Sequence, residues 1–316
     1  MTRIRQFGLS LVELMIALAL ATALVAGVLA VFLSSRQTSL VSNAFSGIQE
    51  NARFVTRVVG YDVAHAGHFG CKSDILIPVA ASGADADNFK YVAAISGWSS
   101  GATPAWFTPA LKPGTDILKV QYASPNAYRL TVAMAATTSA LTFGGAGGTP
   151  GTGPIVIADC ASSEIFSFTA APTASGVAMT GQPSAALTKK YDKDTTEVMP
   201  FVNHIYYVGT DSILHRINSA TATPEDIADN VEDFAAIYGV DTDGDNVIDK
   251  YVSTPSGTMA VMSVQLCLLL TNTDKNISLA PPTATYTDCH GNAKTNTSKA
   301  FHQLFRTTVA RRNGLV

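Results

Sequence analysis

FGLSLVELMIALALATALVAGVLAVFL, residues 7–33, is the stretch on which the reading of this chain turns. From Leu9 to Leu33 the run is apolar apart from Ser10, Glu13, Thr22 and Gly27. As a helix rising about 1.5 Å per residue, it exceeds the ~30 Å hydrocarbon core of a bilayer. Arg3 and Arg5 in the leader MTRIRQFG favour the cytoplasmic side, so the rest of the chain is expected on the opposite face. Glu13 is the one charged residue in the run. An acid near the bilayer centre costs about 3 kcal/mol, so its presence there points to a function. Ala17-Leu18-Ala19 and Ala19-Leu20-Ala21 offer ordinary signal-peptide cleavage sites, and an uncleaved signal anchor is the other alternative. A charge inside the apolar region and an arginine-bearing leader ending in glycine argue against a conventional signal peptide.

The helix is expected to continue past Leu33. Val41, Phe45, Ile48, Ala52, Val55 and Val59 recur at alternating spacings of four and three, which places them on one face. No proline intervenes before Pro78, and Gly60, Gly67 and Gly70 mark the exit. A helix of about fifty residues would be roughly 75 Å long. Its first half is long enough to lie in a membrane, and its second half packs under a head domain. The stripe spans too few heptads, and lacks the flanking charge pattern, for an extended coiled coil.

After Cys71 the signal changes to short β-like runs separated by Gly, Pro, Asn and Asp clusters. The runs are Ile75–Val79, Tyr91–Ile95, Ile117–Tyr122, Tyr128–Val132, Ala140–Phe143 and Ile155–Ala158. They continue with Ile165–Phe168, His204–Val208, Ile213–Arg216, Phe234–Val240, Val247–Val252 and Val261–Leu270. The low-information stretches Ala135–Pro154 and Thr169–Leu187 read as surface loops. The fold class is therefore α+β: a long N-terminal α-helix packed on a mainly antiparallel β head. The segments are a short arginine-bearing stretch at 1–8, an apolar half-helix of membrane length at 9–33, an amphipathic half with its exit at 34–70, and a β-rich head at 71–316.

Composition narrows the function classes. Charged residues are 14% of the 316, and the formal charge of −3 becomes −5 once a leader carrying Arg3 and Arg5 is removed. Without basic clusters there is no electrostatic footprint for nucleic acid. Cys71, Cys160, Cys267 and Cys289 form no C-x-x-C pair, which argues against a zinc site. In an oxidising compartment they would form two disulfides, with three pairings open. The favoured pairing joins Cys71 to Cys160 and Cys267 to Cys289, the second closing a local C-terminal loop.

Gly8 followed by Leu9-Ser10-Leu11-Val12-Glu13-Leu14-Met15-Ile16 closely resembles the type IV prepilin signal, with Leu9 where the family usually has Phe. The resemblance implies cleavage between Gly8 and Leu9 by a prepilin peptidase, N-methylation of Leu9, and a role for Glu13 in docking the helix into a filament. Further pieces are similar to PilW-type minor pilins. They include Asp62-Val63-Ala64-His65-Ala66-Gly67, Ile155-Val156-Ile157-Ala158-Asp159-Cys160 and Tyr206-Tyr207-Val208. Asn230 through Asp245 is the most specific of them, and Phe305 through Asn313 resembles the family's closing strand. The resemblance implies a minor pilin held in the inner membrane with its N-terminus cytoplasmic and its head periplasmic, then displayed at an extracellular pilus tip. It implies as partners the other minor pilins, the major pilin and a tip adhesin, in the service of adhesion and twitching motility. A J-type pseudopilin of a type II secretion system, sharing the N-terminal signal, is the second reading. A membrane-anchored periplasmic enzyme or binding protein is the third.

Within the head, Asp241, Asp243, Asp245, Val247 and Asp249 stand at positions one, three, five, seven and nine of an EF-hand-like calcium loop. Alternate carboxylates plus one carbonyl suit a hard cation that takes six to eight oxygens. Asn246 replaces the usual glycine, and Val252 stands where a bidentate Glu belongs. A remote carboxylate such as Asp229, Glu232 or Asp233 would have to complete the shell. An affinity of roughly 10⁻⁴–10⁻³ M is expected if Ca²⁺ binds; an Asp/Gly-rich turn between strands is the plain alternative, and the two can coexist. His65 and His68 could share a helical face, though an isolated pair is more often structural. No G-x-S-x-G, phosphate-loop or dinucleotide pattern occurs, so neither a catalytic site nor an organic cofactor is expected.

Overall fold

The computed structural model describes residues 10–71, 93–144, 150–151, 153–176, 178–218, 223–255, 259–272, 284–297 and 300–312, with the backbone of 77–78. Helix α1 (Leu11–His65) runs for 55 residues, about 82 Å. Ser10 caps it, its Oγ accepting from the Glu13 N–H at 3.2 Å. Gly60 lies within the helix instead of ending it. The stop is at Ala66 and Gly67, whose φ of +77° is a left-handed turn open to glycine.

The strands are β1 (Ile77–Pro78), β2 (Ile95–Trp98), β3 (Ile117–Ala123), β4 (Tyr128–Leu130), β5 (Leu141–Gly144) and β6 (Pro154–Ala158). Then come β7 (Ser163–Ser167), β8 (Thr173–Ser175), β9 (Ala178–Gly181), β10 (Glu197–Val208), β11 (Leu214–Asn218) and β12 (Pro224–Ala228). The last are β13 (Val231–Asp241), β14 (Lys250–Val252), β15 (Ala260–Thr271), β16 (Thr285–Thr287), β17 (Ala293–Thr295) and β18 (His302–Ala310). Among the described residues the pairing is antiparallel except between β1 and β7.

Strand β10 organises the larger sheet by changing partners along its length. Its first residues pair with β4 and β6, in the wing ordered β1-β7-β6-β10-β4-β5-β9-β8. From Phe201 onward it pairs with β3, and from His204 with β11, which leads to β12. A second sheet is ordered β14-β13-β15-β18, and β16 pairs with β17. The helical stripe lies in the main core with β3, β10, β13 and β15, where Leu118, Tyr206, Phe234, Tyr238 and Val264 are buried. Tyr238 reaches this core because Gly97 of β2 has no side chain: a Cβ there would lie 1.9 Å from the tyrosine oxygen. A separate core around Tyr128, Leu130, Phe143, Phe166 and Tyr191 fills the other wing.

Several boundaries differ from the sequence reading. Thr169–Leu187 contains β8 and β9, because β9 pairs in register with the edge of β5, Leu141 opposite Gly181. A segment poor in large apolar residues thereby becomes strand through its neighbour. Of the run expected at Tyr91–Ile95, Tyr91 and Val92 lie outside the described residues, Ala93 and Ala94 are not strand, and Ile95 opens β2 by pairing with Val120. Strand β14 keeps only Lys250–Val252 of Val247–Val252, since hydrogen bonds to acidic side chains hold the preceding residues in a loop. β12, β16 and β17 lie outside the expected runs. Ala135–Pro154 carries β5 in its midst.

Candidate functional site: the helix and its seat on the head

All residues from Leu11 to Leu40 are exposed, and the apolar segment is long enough to cross a membrane once. Glu13 lies in its first turn, near the positive end of the helix dipole. Gly8 and Leu9 fall outside the described residues, so the expected cleavage and methylation positions have no geometry here.

The second half of α1 is seated. Ile48, Ala52, Val55, Val59 and Val63 are buried against β3, β12, β15 and β18, while Val41 and Phe45 are half-covered at the rim. Phe45 meets Phe301 with ring centroids 5.1 Å apart. The next position on the stripe is a carboxylate, Asp62, 2% exposed. It accepts from the Tyr122 hydroxyl at 2.8 Å, from the Tyr206 hydroxyl and from His204 Nδ1. Burial alone would raise the Asp62 pKa; the bond and charge of His204, with both tyrosines, outweigh it and hold the carboxyl below its ordinary value. Both phenols are pushed up, by burial first and then by the Asp62 charge. Sequence reasoning missed this node; its one signal was an acid in line with an apolar stripe.

Two disulfides brace the seat. Cys71, just past the helix, joins Cys160 beyond β6 with Cα atoms 4.8 Å apart, and Cys267 of β15 joins Cys289 at 5.6 Å. His65 Nδ1 donates to the Tyr61 carbonyl at 2.8 Å, and the His68 pKa is lowered, chiefly by burial. Beside the helix, a cleft of about 590 Å³ has Phe234, Leu266, Leu268 and Phe305 among its lining, with Arg53 and Arg57 on the helix side.

The acidic loop after β13 brings Asp241, Asp243 and Asp245 together, each with a carboxylate oxygen within 4.8 Å of the others. Asp241 is already engaged by the N–H groups of Asp243, Gly244 and Asn246. These bonds, Gly244 first, hold its pKa low. Asp243 accepts from the Asp245 N–H, yet the charges of Asp245, Asp249 and Asp241 outweigh that bond and raise its pKa. Asn246 takes the left-handed conformation, φ +65°. Asp249 points elsewhere, its Oδ2 accepting from the Thr242 N–H at 2.7 Å and hydroxyl at 2.6 Å. Val247 is exposed, and Val252 pairs with Tyr238. The arrangement offers three convergent oxygens of the six to eight that calcium takes. Asp229, Glu232 and Asp233 cannot extend it, because they lie at the other end of β13, eight residues or roughly 27 Å of strand away from Asp241 in the case of Asp233.

Residues 204–313, from the second half of β10 through β18, match the family described as Type IV Pilus-assembly protein W, PilW. No curated protein and no solved structure gives a significant match to the chain. The matched segment holds His204 and Tyr206 of the Asp62 node, the acidic loop and most of the sheet under the helix, and over that segment the chain is similar to the PilW family of type IV pilus-assembly proteins.

Proposed function

We propose that the protein is a minor pilin, processed between Gly8 and Leu9, whose exposed apolar half-helix passes from the inner membrane into the core of a pilus. The observation that carries this reading is the contrast within α1: a bare apolar segment with one acid, continuous with a half seated on the head. Extraction from lipid leaves Glu13 needing a counter-charge in a low-dielectric core. The α-amine created at Leu9 supplies one on a neighbouring subunit. The head then works by contact and not by catalysis. It meets other minor pilins, the major pilin and a tip adhesin, priming assembly and supporting adhesion and twitching motility. Calcium is a weak ligand of the Asp241–Asp245 loop in this reading. The PilW match at residues 204–313 favours a pilus over a type II secretion system.

The experiment is mass spectrometry of the mature N-terminus with and without the prepilin peptidase, paired with recovery of the protein in sheared pili. Methylated Leu9 that depends on the peptidase, and loss of Glu13→Leu from the pili, are expected. A chain still starting at Met1, or cut after Ala21, would sink the proposal.

A further inference from the structure

We infer that Asp233, Asp288 and His290 form a binding site for a divalent transition ion, with zinc(II) the best chemical match. The site is separate from the Asp241–Asp245 loop and beyond the assembly role proposed above.

Asp233 lies near the start of β13, and Asp288 and His290 lie in the turn between β16 and β17. One donor atom from each lies within 4.8 Å of the other two. Donors around a tetrahedral zinc ion sit about 3.3 Å apart, given bonds near 2.0–2.1 Å, so closure needs only side-chain adjustment. The independent sign is Asp233 itself. Its side chain is 9% exposed, and its Oδ1 is buried without any hydrogen-bond partner. An unmatched buried carboxylate oxygen is expensive, and an ion at this point would remove the cost. Oδ2 accepts from the Cys289 N–H at 2.8 Å, which aims the carboxylate at the turn. Asp288 Oδ1 accepts from the His290 and Asn292 N–H groups, and Oδ2 from Asn292 Nδ2 at 3.1 Å.

His290 is placed as metal-binding imidazoles usually are. Its Nδ1 faces Asp233, 3.5 Å from Oδ2, and its Nε2 lies 3.3 Å from Asp116 Oδ1. With an ion on Nδ1, the Nε2–H donates to Asp116 and fixes the tautomer, the carboxylate–histidine–metal arrangement. Asp116 is itself held by the N–H groups of Ser100 and Ala236. Two buried carboxylates, Asp116 and Asp233, thus flank one imidazole that is a third exposed, with the buried Asp288 carboxylate beside it. Among the nearby cations, Lys112 is paired with Glu232, and Lys294, 3.7 Å from Asp288, is half-exposed and free to swing into solvent. A cleft of about 170 Å³, lined by Glu232, Asp233, Tyr286, Asp288 and Lys294 among others, reaches the two carboxylates, while His290 and Asp116 line a second cleft. Mixed imidazole and carboxylate donors select zinc or a neighbouring transition ion over calcium or magnesium. The ion would clamp β13 to the turn that carries Cys289, beside the Cys267–Cys289 disulfide.

The test uses the full chain in detergent, stripped with chelator and dialysed against zinc(II), with bound metal counted by elemental analysis. One retained equivalent is expected. His290→Ala and Asp288→Ala should lose it, and Asp116→Asn should weaken binding by about 10–100-fold. Asp243→Asn in the other acidic loop should leave it intact. Cobalt(II) added to the unmutated chain reads the same site without any variant, and should give the intense visible bands of a low-coordinate ion. No retained zinc, full retention by His290→Ala, or a cobalt spectrum like that of the free ion would overturn the inference. The His290 ring lying between Asp116 and Asp233, with no metal, would then be the arrangement.

Discussion

Along the first thirty residues of α1, Leu11 to Leu40, no side chain is covered; from Ile48 to Val63 one side of the same helix is sealed against the head. Both halves are rich in apolar residues and uninterrupted by proline, so propensity does not separate them. Periodicity does. From Leu11 to Leu33 the first half is apolar around its whole circumference apart from Glu13 and Thr22, and a single sheet face can cover only a third or so of it. The second concentrates its apolar positions on one side, and one sheet face suffices. A helix apolar all round needs a partner all round, which is what a bilayer or a bundle of like helices provides. The comparison teaches that the head is built to hold one end of this helix and to leave the other end for a different environment.

The same substitution in each half should break the comparison most sharply. Val59→Asp buries an unpaired charge in the main core and is expected to cost about 4 kcal/mol or more. Val25→Asp should leave the melting of the head unchanged in detergent while lowering membrane insertion; calorimetry of the two variants checks both. Next in size is the Cys71–Cys160 bridge, which closes 89 residues just past the seated half. Replacing both cysteines with Ala should cost roughly 4 kcal/mol, measured by denaturant unfolding. Equal stability of the two forms would show that the helix end needs no staple.

Asp62→Asn removes the charged acceptor that Tyr122, Tyr206 and His204 share, at a cost of about 1–3 kcal/mol. The sign of its pH dependence follows from the lowered carboxyl. Its contribution is complete above the ordinary carboxylate range near pH ~4 and is lost as pH falls through the lower folded value. Acid should therefore loosen the seated half before it affects the bare half, and Asp62→Asn should flatten that part of the stability curve. Amide exchange along α1 between neutral and acid pH reads this directly. The smallest effect is expected from the acidic loop. About 10 mM calcium should raise the melting temperature by roughly 2–6 °C if the affinity is near 10⁻⁴–10⁻³ M. Asp243→Asn should abolish that rise, and neither change should alter exchange in either half of α1.

The long helix was legible because its signal is local: apolar run, stripe and the absence of proline are all read within one segment. The strands Ile117–Ala123 and Ala260–Thr271 were legible for a similar reason, since buried β-branched and aliphatic runs announce themselves. Strands β8 and β9 were not, because alanine, threonine and serine become strand only where β5 offers an edge. The acidic loop was readable as a turn, and its left-handed Asn246 follows from residue type. The idea that Asp233 would serve it failed on geometry: strand β13 carries the two acids to opposite ends. Asp62 and His204, 142 positions apart, gave no joint signal at all.

What the sequence alone determined is the division of labour: a helix with an all-apolar end carrying Glu13 and a one-sided end, joined to a β head. Those features rest on composition and spacing within a few turns of chain. Tertiary structure decided which strands seat the helix, that Asp62 is buried as a shared acceptor, and that Asp233 meets His290 rather than Asp241. Each of these depends on contacts between residues far apart in the chain, and the pairing of β10, β13 and β15 alone fixes which distant side chains share a buried space.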